Sequence, residues 1–148
     1  MSAAKIDRLP VAQMGPEDVP QPPNPALHGL RLFVVEDEAL VALLLESMLD
    51  AHGCIIVGQA AAVKSALEAV ARLGRGVDVA ILDVNLGGER VFPVADALME
   101  NGIPFVFTTG YGPLGLEDRY PGRTVITKPY REAVLVEAVL DARRDSLH

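Results

Sequence analysis

The chain has 148 residues, of which 50% are hydrophobic and 22% charged, and its formal net charge is −7. This length and composition predict one soluble globular domain with a full hydrophobic core. The acidic balance disfavours contact with a phosphate backbone, so we expect no direct nucleic-acid partner.

The cysteine and hydropathy patterns limit the setting in which the chain works. A single cysteine, Cys54, excludes an internal disulfide and suits a reducing compartment. No stretch approaches the roughly 18 apolar residues of a membrane span, and the N-terminus lacks the apolar core of a signal peptide. We therefore expect a cytoplasmic protein with no membrane partner.

The three histidines share no metal-ligand spacing, so we assign them no function.

Residues 1–28 contain six of the eleven prolines and little apolar periodicity. Segments of this kind stay solvated, so we predict a disordered or polyproline-like tail. A proline-rich docking ligand is the alternative. The folded domain is then predicted to occupy residues 29–148.

From Leu30 onward, apolar runs alternate with amphipathic patterns, which is typical of parallel strands joined by crossover helices. The predicted strands occupy residues 31–35, 54–60, 78–82, 104–108 and 123–127. The predicted helices occupy residues 38–51, 62–73, 91–101 and 130–143. Glycines and prolines interrupt the chain after the fourth strand, so the helix expected there is predicted to be short, around Leu114 to Arg119.

The first predicted strand runs directly into three acids, Glu36, Asp37 and Glu38. Acids at the carboxyl end of a strand lie where open α/β sheets bind ligands. Like charges gathered there favour a divalent cation with oxygen ligands. The alternative is that these acids only open the next helix, whose first turn favours negative side chains.

Three further strands end in residues suited to phosphate chemistry. Asp83, Thr109 and Lys128 follow the third, fourth and fifth apolar runs. The ordered set of an acid pair, an aspartate, a threonine and a lysine resembles the receiver domain of bacterial two-component response regulators. The resemblance extends over residues 30–143. The stretch PFVFTTGYG is further similar to the FATGUY group of single-domain receivers.

The resemblance implies a flavodoxin-like, doubly wound α/β fold with five parallel strands in the order 2-1-3-4-5. It also implies that Asp83 accepts a phosphoryl group, and that Mg²⁺ is held by Glu36, Asp37, Asp83 and the backbone carbonyl of Asn85. Glu36 stands where many receivers have aspartate, so we expect it to reach the ion through water. Glu38 is expected to cap the following helix.

Thr109 and Lys128 complete the site that the resemblance implies, because a hydroxyl and an ammonium can bond separate phosphoryl oxygens. Thr108 competes with Thr109, since neighbouring strand residues face opposite ways. The family motif places the functional hydroxyl just before a small residue, here Gly110. The peptide bond between Lys128 and Pro129 is expected to be cis, as is usual in the family.

One position departs from the family pattern. Many receivers carry an aromatic residue three positions before the lysine, where this chain has Val125. The usual aromatic switch is therefore not expected to operate. Segment 111–122 is the remaining candidate for a switch, and we predict that it is mobile without phosphate and ordered with it.

We expect a stand-alone receiver that takes a phosphoryl group from a histidine kinase or a histidine phosphotransfer protein. Its output is expected to be contact with a downstream protein or onward transfer of the group. Such a chain assists its own phosphorylation and dephosphorylation without being an enzyme for other substrates. The alternatives are a binding-only pseudo-receiver and a small Mg²⁺-dependent phosphatase. Neither Val84 nor Asn85 is a general acid, which disfavours the phosphatase.

The helix predicted at residues 38–51 is apolar on more than one side. One regular stripe is predicted to face the core. Its members are Val41, Leu44, Leu45 and Met48. Leu40 and Leu43 lie off this stripe and are predicted to be exposed, either as a docking face for the kinase or as ordinary surface leucines.

Overall fold

The computed structural model describes residues 22–110 and 116–146. Five strands form one parallel sheet in the order β2-β1-β3-β4-β5. They are β1 (Arg31–Val35), β2 (Ile55–Ala60), β3 (Val79–Asp83), β4 (Phe105–Thr109) and β5 (Val125–Thr127). The sheet confirms the predicted flavodoxin-like fold.

Helices cover both faces of the sheet, because each crossover must bury its apolar side against the strands. They are α1 (Ala39–Asp50), α2 (Val63–Leu73), α3 (Phe92–Glu100), α4 (Leu116–Arg119) and α5 (Glu132–Ser146). Helices α1 and α5 share one core layer, and α2, α3 and α4 share the other. The four-residue α4 confirms the prediction of a short fourth helix. None of the helices in the described ranges has the length and hydropathy of a membrane span.

Two strand boundaries differ from the prediction in a way that matters for the site. Strands β3 and β4 each run one residue further, so that Asp83 and Thr109 are the last residues of strands rather than the first residues of loops. Both side chains are therefore held by the sheet itself.

Part of the segment that the sequence predicts as a tail is ordered. Pro25–Leu27 form a 3-10 turn, and the side chain of Asn24 accepts a hydrogen bond from the amide of Ala26 at 3.0 Å. Leu27 is fully buried among the residues packed under α1 and α5, so its apolar side chain fixes this part of the chain. Residues 1–21 lie outside the described part of the chain.

The predicted core stripe of α1 is wrong at Leu44, whose side chain is 54% exposed. The buried line of the helix runs instead through Leu45 and Leu49, one turn apart. Leu40 and Leu43 are 82% and 61% exposed, which confirms the expected exposure of both residues.

His52, to which we assigned no function, is buried just after α1. Its Nδ1 accepts a hydrogen bond from the amide of Asn24 at 2.9 Å, so the ring proton lies on Nε2. Nε2 donates to Glu132 Oε2 at 2.8 Å. One imidazole thereby joins the segment before β1 to the first turn of α5.

Candidate functional site

The carboxyl ends of β1, β3 and β5 bring together Glu36, Asp83 and Lys128. Lys128 Nζ lies 2.9 Å from Asp83 Oδ2 and 2.9 Å from Glu36 Oε1. Both carboxylates are buried, with Glu36 4% and Asp83 5% exposed. One ammonium group therefore bridges two buried acids, one directly after β1 and one at the end of the neighbouring strand β3.

The orientation of the Asp83 carboxylate is fixed at both of its oxygens. Oδ1 accepts a hydrogen bond from the amide of Asn85 at 3.1 Å, and Oδ2 accepts one from Lys128 Nζ. Lys128 is itself positioned by its backbone, whose amide donates to the carbonyl of Thr109 at 2.8 Å. The bond between Lys128 and Pro129 is cis, as expected.

Glu36 is less completely bonded than Asp83. Its Oε2 accepts a hydrogen bond from the amide of Glu38 at 3.1 Å. Oε1 is buried and close to Lys128 Nζ, but the contact is not aligned as a hydrogen bond, and no other described residue bonds this oxygen. Burial raises the pKa of Glu36 to about 7, although Lys128 opposes the rise. The pocket therefore holds one acid that is under-bonded.

Lys128 keeps its charge in this pocket. Burial acts to lower the pKa of its ammonium, but pairing with Glu36 and Asp83 outweighs burial and raises the pKa above its ordinary value. Tyr130, two residues later, was not among the predicted site residues. Burial and the charge of Glu36 raise its pKa, which marks it as a neighbour of the same charges. Its position directly after Pro129 was the available signal.

The acid stretch after β1 forms a compact group. Carboxylate oxygens of Glu36, Asp37 and Glu38 lie within 4.8 Å of one another. The expectation that Glu38 caps α1 is wrong, because it occupies the N-cap position without a side-chain hydrogen bond. Its carboxylate lies 3.8 Å from Lys128 Nζ, so the lysine charge competes with the amino end of α1 for this carboxylate.

A small hairpin after β3 closes the edge of the pocket. Its two short antiparallel strands are Asn85–Leu86 and Glu89–Arg90. Gly87 and Gly88 form the turn with φ values of 57° and 96°, a conformation that glycine adopts without steric cost. The turn brings the amide of Gly87 within 3.0 Å of Asp37 Oδ2. The hairpin thus ties the acid stretch to the loop that follows Asp83.

The two threonines that end β4 are both buried, Thr108 to 1% and Thr109 to 2% exposure. Thr108 pairs in register with Asp83, so the two residues occupy the same level of the sheet. Thr109 stands one residue further, next to Gly110. A side chain at Gly110 would meet no described atom within 4 Å, which is consistent with open space beside Thr109.

Residues 32–140 match the family described as the response regulator receiver domain. The chain belongs to this family. The match begins at Leu32, the second residue of β1, and covers all of the later strands and every predicted site residue.

Solved structures of other receivers are similar to this one. SdrG from Sphingomonas melonis Fr1 is 39% identical over 81% of this chain and 98% of that chain, with a TM-score of 0.65. The BeF3-activated conformation of SdrG from Pseudomonas melonis Fr1 is 41% identical over 74% and 95%, with a TM-score of 0.62. The PhyR receiver domain of Erythrobacter litoralis is 28% identical over 82% and 92%, with a TM-score of 0.66. A comparison with curated proteins gives no match.

The acidic pocket of this receiver fits a magnesium ion. Its donors are carboxylate oxygens, the hard ligands that Mg²⁺ prefers. Glu36 Oε1 is buried without an aligned donor, and buried oxygens of this kind are normally satisfied by a partner. The residues present therefore suit the ion that receivers generally bind.

Position 125 is not aromatic, but Tyr120 adds a tyrosine ring to the phenylalanines on the α2/α3 face of the receiver. Its ring centroid lies 5.3 Å from that of Phe107, and its hydroxyl donates to Asp96 Oδ1 at 2.8 Å. Val125 pairs with Phe107 in the sheet. Residues 111–115 of the segment predicted to be mobile lie outside the described ranges. The described part of segment 111–122 is packed against the domain, since Leu116 and Tyr120 are buried.

Proposed function

We propose that this receiver accepts a phosphoryl group on Asp83 in a Mg²⁺-dependent reaction and signals through protein contact. The donor is a histidine kinase or a histidine phosphotransfer protein, as is general for receivers. The observation that carries the proposal is the bridge from Lys128 Nζ to Asp83 and Glu36, with both distances 2.9 Å. We further propose that the chain belongs with the FATGUY group of receivers.

The transfer step uses the Asp83 carboxylate as the nucleophile. One carboxylate oxygen attacks phosphorus, the bond between phosphorus and the donor histidine nitrogen breaks, and its electron pair returns to the imidazole. The product is a mixed anhydride on Asp83. Because the amide of Asn85 already orients Oδ1, little reorganisation of the acceptor is needed.

Glu36, Asp37, Asp83 and the carbonyl of Asn85 would hold the magnesium ion. When bound, Mg²⁺ neutralises charge on the transferred group. The hydrogen bond from Gly87 to Asp37 keeps the exposed acid close to the pocket in advance. Glu38, whose carboxylate stands beside those of Glu36 and Asp37, adds negative charge that attracts the cation.

Lys128 and Thr109 are proposed to bind the transferred group. The lysine is charged, and its ammonium can turn from a carboxylate oxygen to a phosphoryl oxygen over a short distance. Thr109 ends the neighbouring strand beside Gly110, where a side chain would meet no atom of the described residues within 4 Å. The chain would promote its own phosphorylation and dephosphorylation in this way, without acting on other substrates.

The surface beside the pocket supports a protein donor. Leu43 lines a cavity of about 470 Å³ together with Glu36 and Asp37, and its side chain is 61% exposed. Leu40, one turn earlier on α1, is 82% exposed. Apolar side chains at the rim of an acidic pocket suit docking of a phosphohistidine-bearing helix.

Intact mass measured after incubation with acetyl phosphate tests the proposal. The wild-type chain should gain one phosphoryl group with Mg²⁺ and none after chelation with EDTA. The Asp83→Asn variant should gain none in either condition. A wild-type chain that stays unlabelled with Mg²⁺ would favour the binding-only pseudo-receiver, and labelling of Asp83→Asn would move the acceptor elsewhere.

A further inference from the structure

Thr108 carries a buried hydroxyl that the fold does not explain. The residue is 1% exposed, and its Oγ1 has no hydrogen-bond partner among the described residues. Buried hydroxyls are normally bonded, and burying one without a partner is unfavourable. Valine has nearly the same shape, suits a strand equally well and avoids this cost. The hydroxyl therefore needs a reason other than packing.

The position of Thr108 in the sheet supplies a reason. Thr108 is the register partner of Asp83 on the adjacent strand, so the two side chains leave the same face of the sheet. That face is the one covered by α1 and α5, because the preceding residue of the same parity, Val106, packs in that layer. Thr109 has the opposite parity, so its hydroxyl cannot substitute for that of Thr108 at this place.

The path of the Lys128 side chain also passes between Thr108 and the proposed phosphoacceptor Asp83. Strand β4 lies between β3, which ends in Asp83, and β5, which precedes Lys128. The lysine side chain must therefore cross the end of β4 to reach Asp83 Oδ2 at 2.9 Å. At present Oδ2 is bonded by that ammonium. When the ammonium turns toward a phosphoryl group, Asp83 Oδ2 loses this hydrogen-bond donor.

We infer that the Thr108 hydroxyl is a reserve donor that bonds Asp83 when Lys128 turns toward the incoming phosphoryl group. The hydroxyl has no partner among the described residues, so Asp83 lies just outside its hydrogen-bond reach while Lys128 holds Oδ2, and a small shift of the carboxylate toward β4 closes the gap. After this shift the carboxylate keeps two donors, the Asn85 amide on Oδ1 and Thr108 on Oδ2, so its orientation is retained during transfer. This inference rests on the proposed function of Asp83 as the phosphoacceptor.

The test compares Thr108→Val with Thr108→Ser in the full chain. Valine removes the hydroxyl and keeps the shape, whereas serine keeps the hydroxyl and loses a methyl group. The readouts are the rate of labelling by acetyl phosphate at saturating Mg²⁺ and the midpoint of urea unfolding. Thr127→Val is the matched control, since Thr127 ends β5 and is exposed.

Thr108→Val should label about tenfold more slowly, the size expected for a lost hydrogen bond to a charged group. Its unfolding midpoint should equal or exceed that of wild type, because an unpartnered hydroxyl has been removed. Thr108→Ser and Thr127→Val should label at the wild-type rate. Wild-type labelling by Thr108→Val, or equal slowing in Thr108→Val and Thr108→Ser, would overturn the inference while leaving the proposed function intact. If wild type itself does not label, the proposed function and this inference both fail.

Discussion

Both ends of the central sheet bury carboxylates beside basic side chains, but Asp78 at the amino end is bonded differently from Glu36 at the carboxyl end. At the amino end, Asp78 precedes β3 and accepts from Arg31 at both oxygens, from Nε to Oδ2 at 3.1 Å and from Nη2 to Oδ1 at 3.0 Å. The amide of Arg31 adds a bond to Oδ2 at 2.8 Å, and Arg143 Nη1 lies 3.2 Å from Oδ1. At the carboxyl end, Glu36 has one aligned donor, on Oε2.

This difference in bonding has opposite effects on the two acids. The hydrogen bonds from Arg31 hold the pKa of Asp78 below its usual value. Burial raises the pKa of Glu36 to about 7. A fully bonded carboxylate contributes to stability, whereas an under-bonded one keeps capacity for a ligand at the expense of stability. The bonding at the amino end therefore favours stability, and the bonding at the carboxyl end agrees with the proposed phosphoacceptor site.

Replacing the amino-end carboxylate should have the largest effect on stability. Asp78→Asn removes the charge that pairs with Arg31 and Arg143, and should lower the free energy of unfolding by about 2 kcal/mol. Both arginines are partly exposed, so solvent screening keeps the loss below that of a fully buried pair. Urea unfolding measures the loss. A variant within about 0.5 kcal/mol of wild type would refute the structural role of Asp78.

Only the carboxyl end is expected to respond to a charge on the surface beside it. Leu43→Glu should slow phosphotransfer from the cognate kinase about fivefold, because it places a charge in the proposed docking face. Labelling by acetyl phosphate should be unchanged. Met99→Glu is the matched control, since Met99 is 49% exposed near the end of α3. Equal transfer rates in both variants and wild type would discard the docking face.

Neutralising the under-bonded acid should change stability least. Glu36→Gln should stay within about 1 kcal/mol of the wild-type free energy of unfolding, because Lys128 keeps its bond to Asp83. Its affinity for Mg²⁺ should nevertheless fall, as measured by calorimetric titration. If Glu36→Gln destabilises the chain as much as Asp78→Asn does, the two ends of the sheet do not differ in their contribution to stability, and the comparison fails.

The two acids also predict opposite responses of stability to pH. The pKa of Asp78 is lowered on folding, so its contribution is present above the ordinary value of 3.8 and is lost as pH falls through the folded pKa. The pKa of Glu36 is raised from 4.5 to about 7, so the folded state binds the extra proton and stability declines as pH rises through this range. Urea unfolding at several pH values should show a smaller decline for Glu36→Gln. An unchanged decline would exclude Glu36 as its cause.

The sequence predicts the sheet and the residues at its carboxyl end because apolar runs and their endings are local features. Asp83, Thr109 and Lys128 each follow such a run, and parallel strands place their endings at one edge. The short α4 is predicted for the same reason, since glycine and proline act on their own segment.

Long-range pairing could not be predicted from local patterns. Arg31 and Asp78 are 47 residues apart and meet only because β1 and β3 are neighbours. The burial of Leu27 depends on a core layer formed later in the chain. Leu44 was misassigned because several leucines of α1 satisfy helical periodicity, and only packing decides which of them are buried.

The contrast between the two ends is tested most directly by measuring labelling and stability together for Asp83→Asn and Asp78→Asn. Acetyl phosphate and Mg²⁺ should add a phosphoryl group to Asp78→Asn but not to Asp83→Asn, as read by intact mass. Urea unfolding should show the reverse order of damage, with Asp78→Asn the less stable variant. Labelling of Asp83→Asn, or loss of labelling in a folded Asp78→Asn chain, would contradict the division of stability and chemistry between the two ends of the sheet.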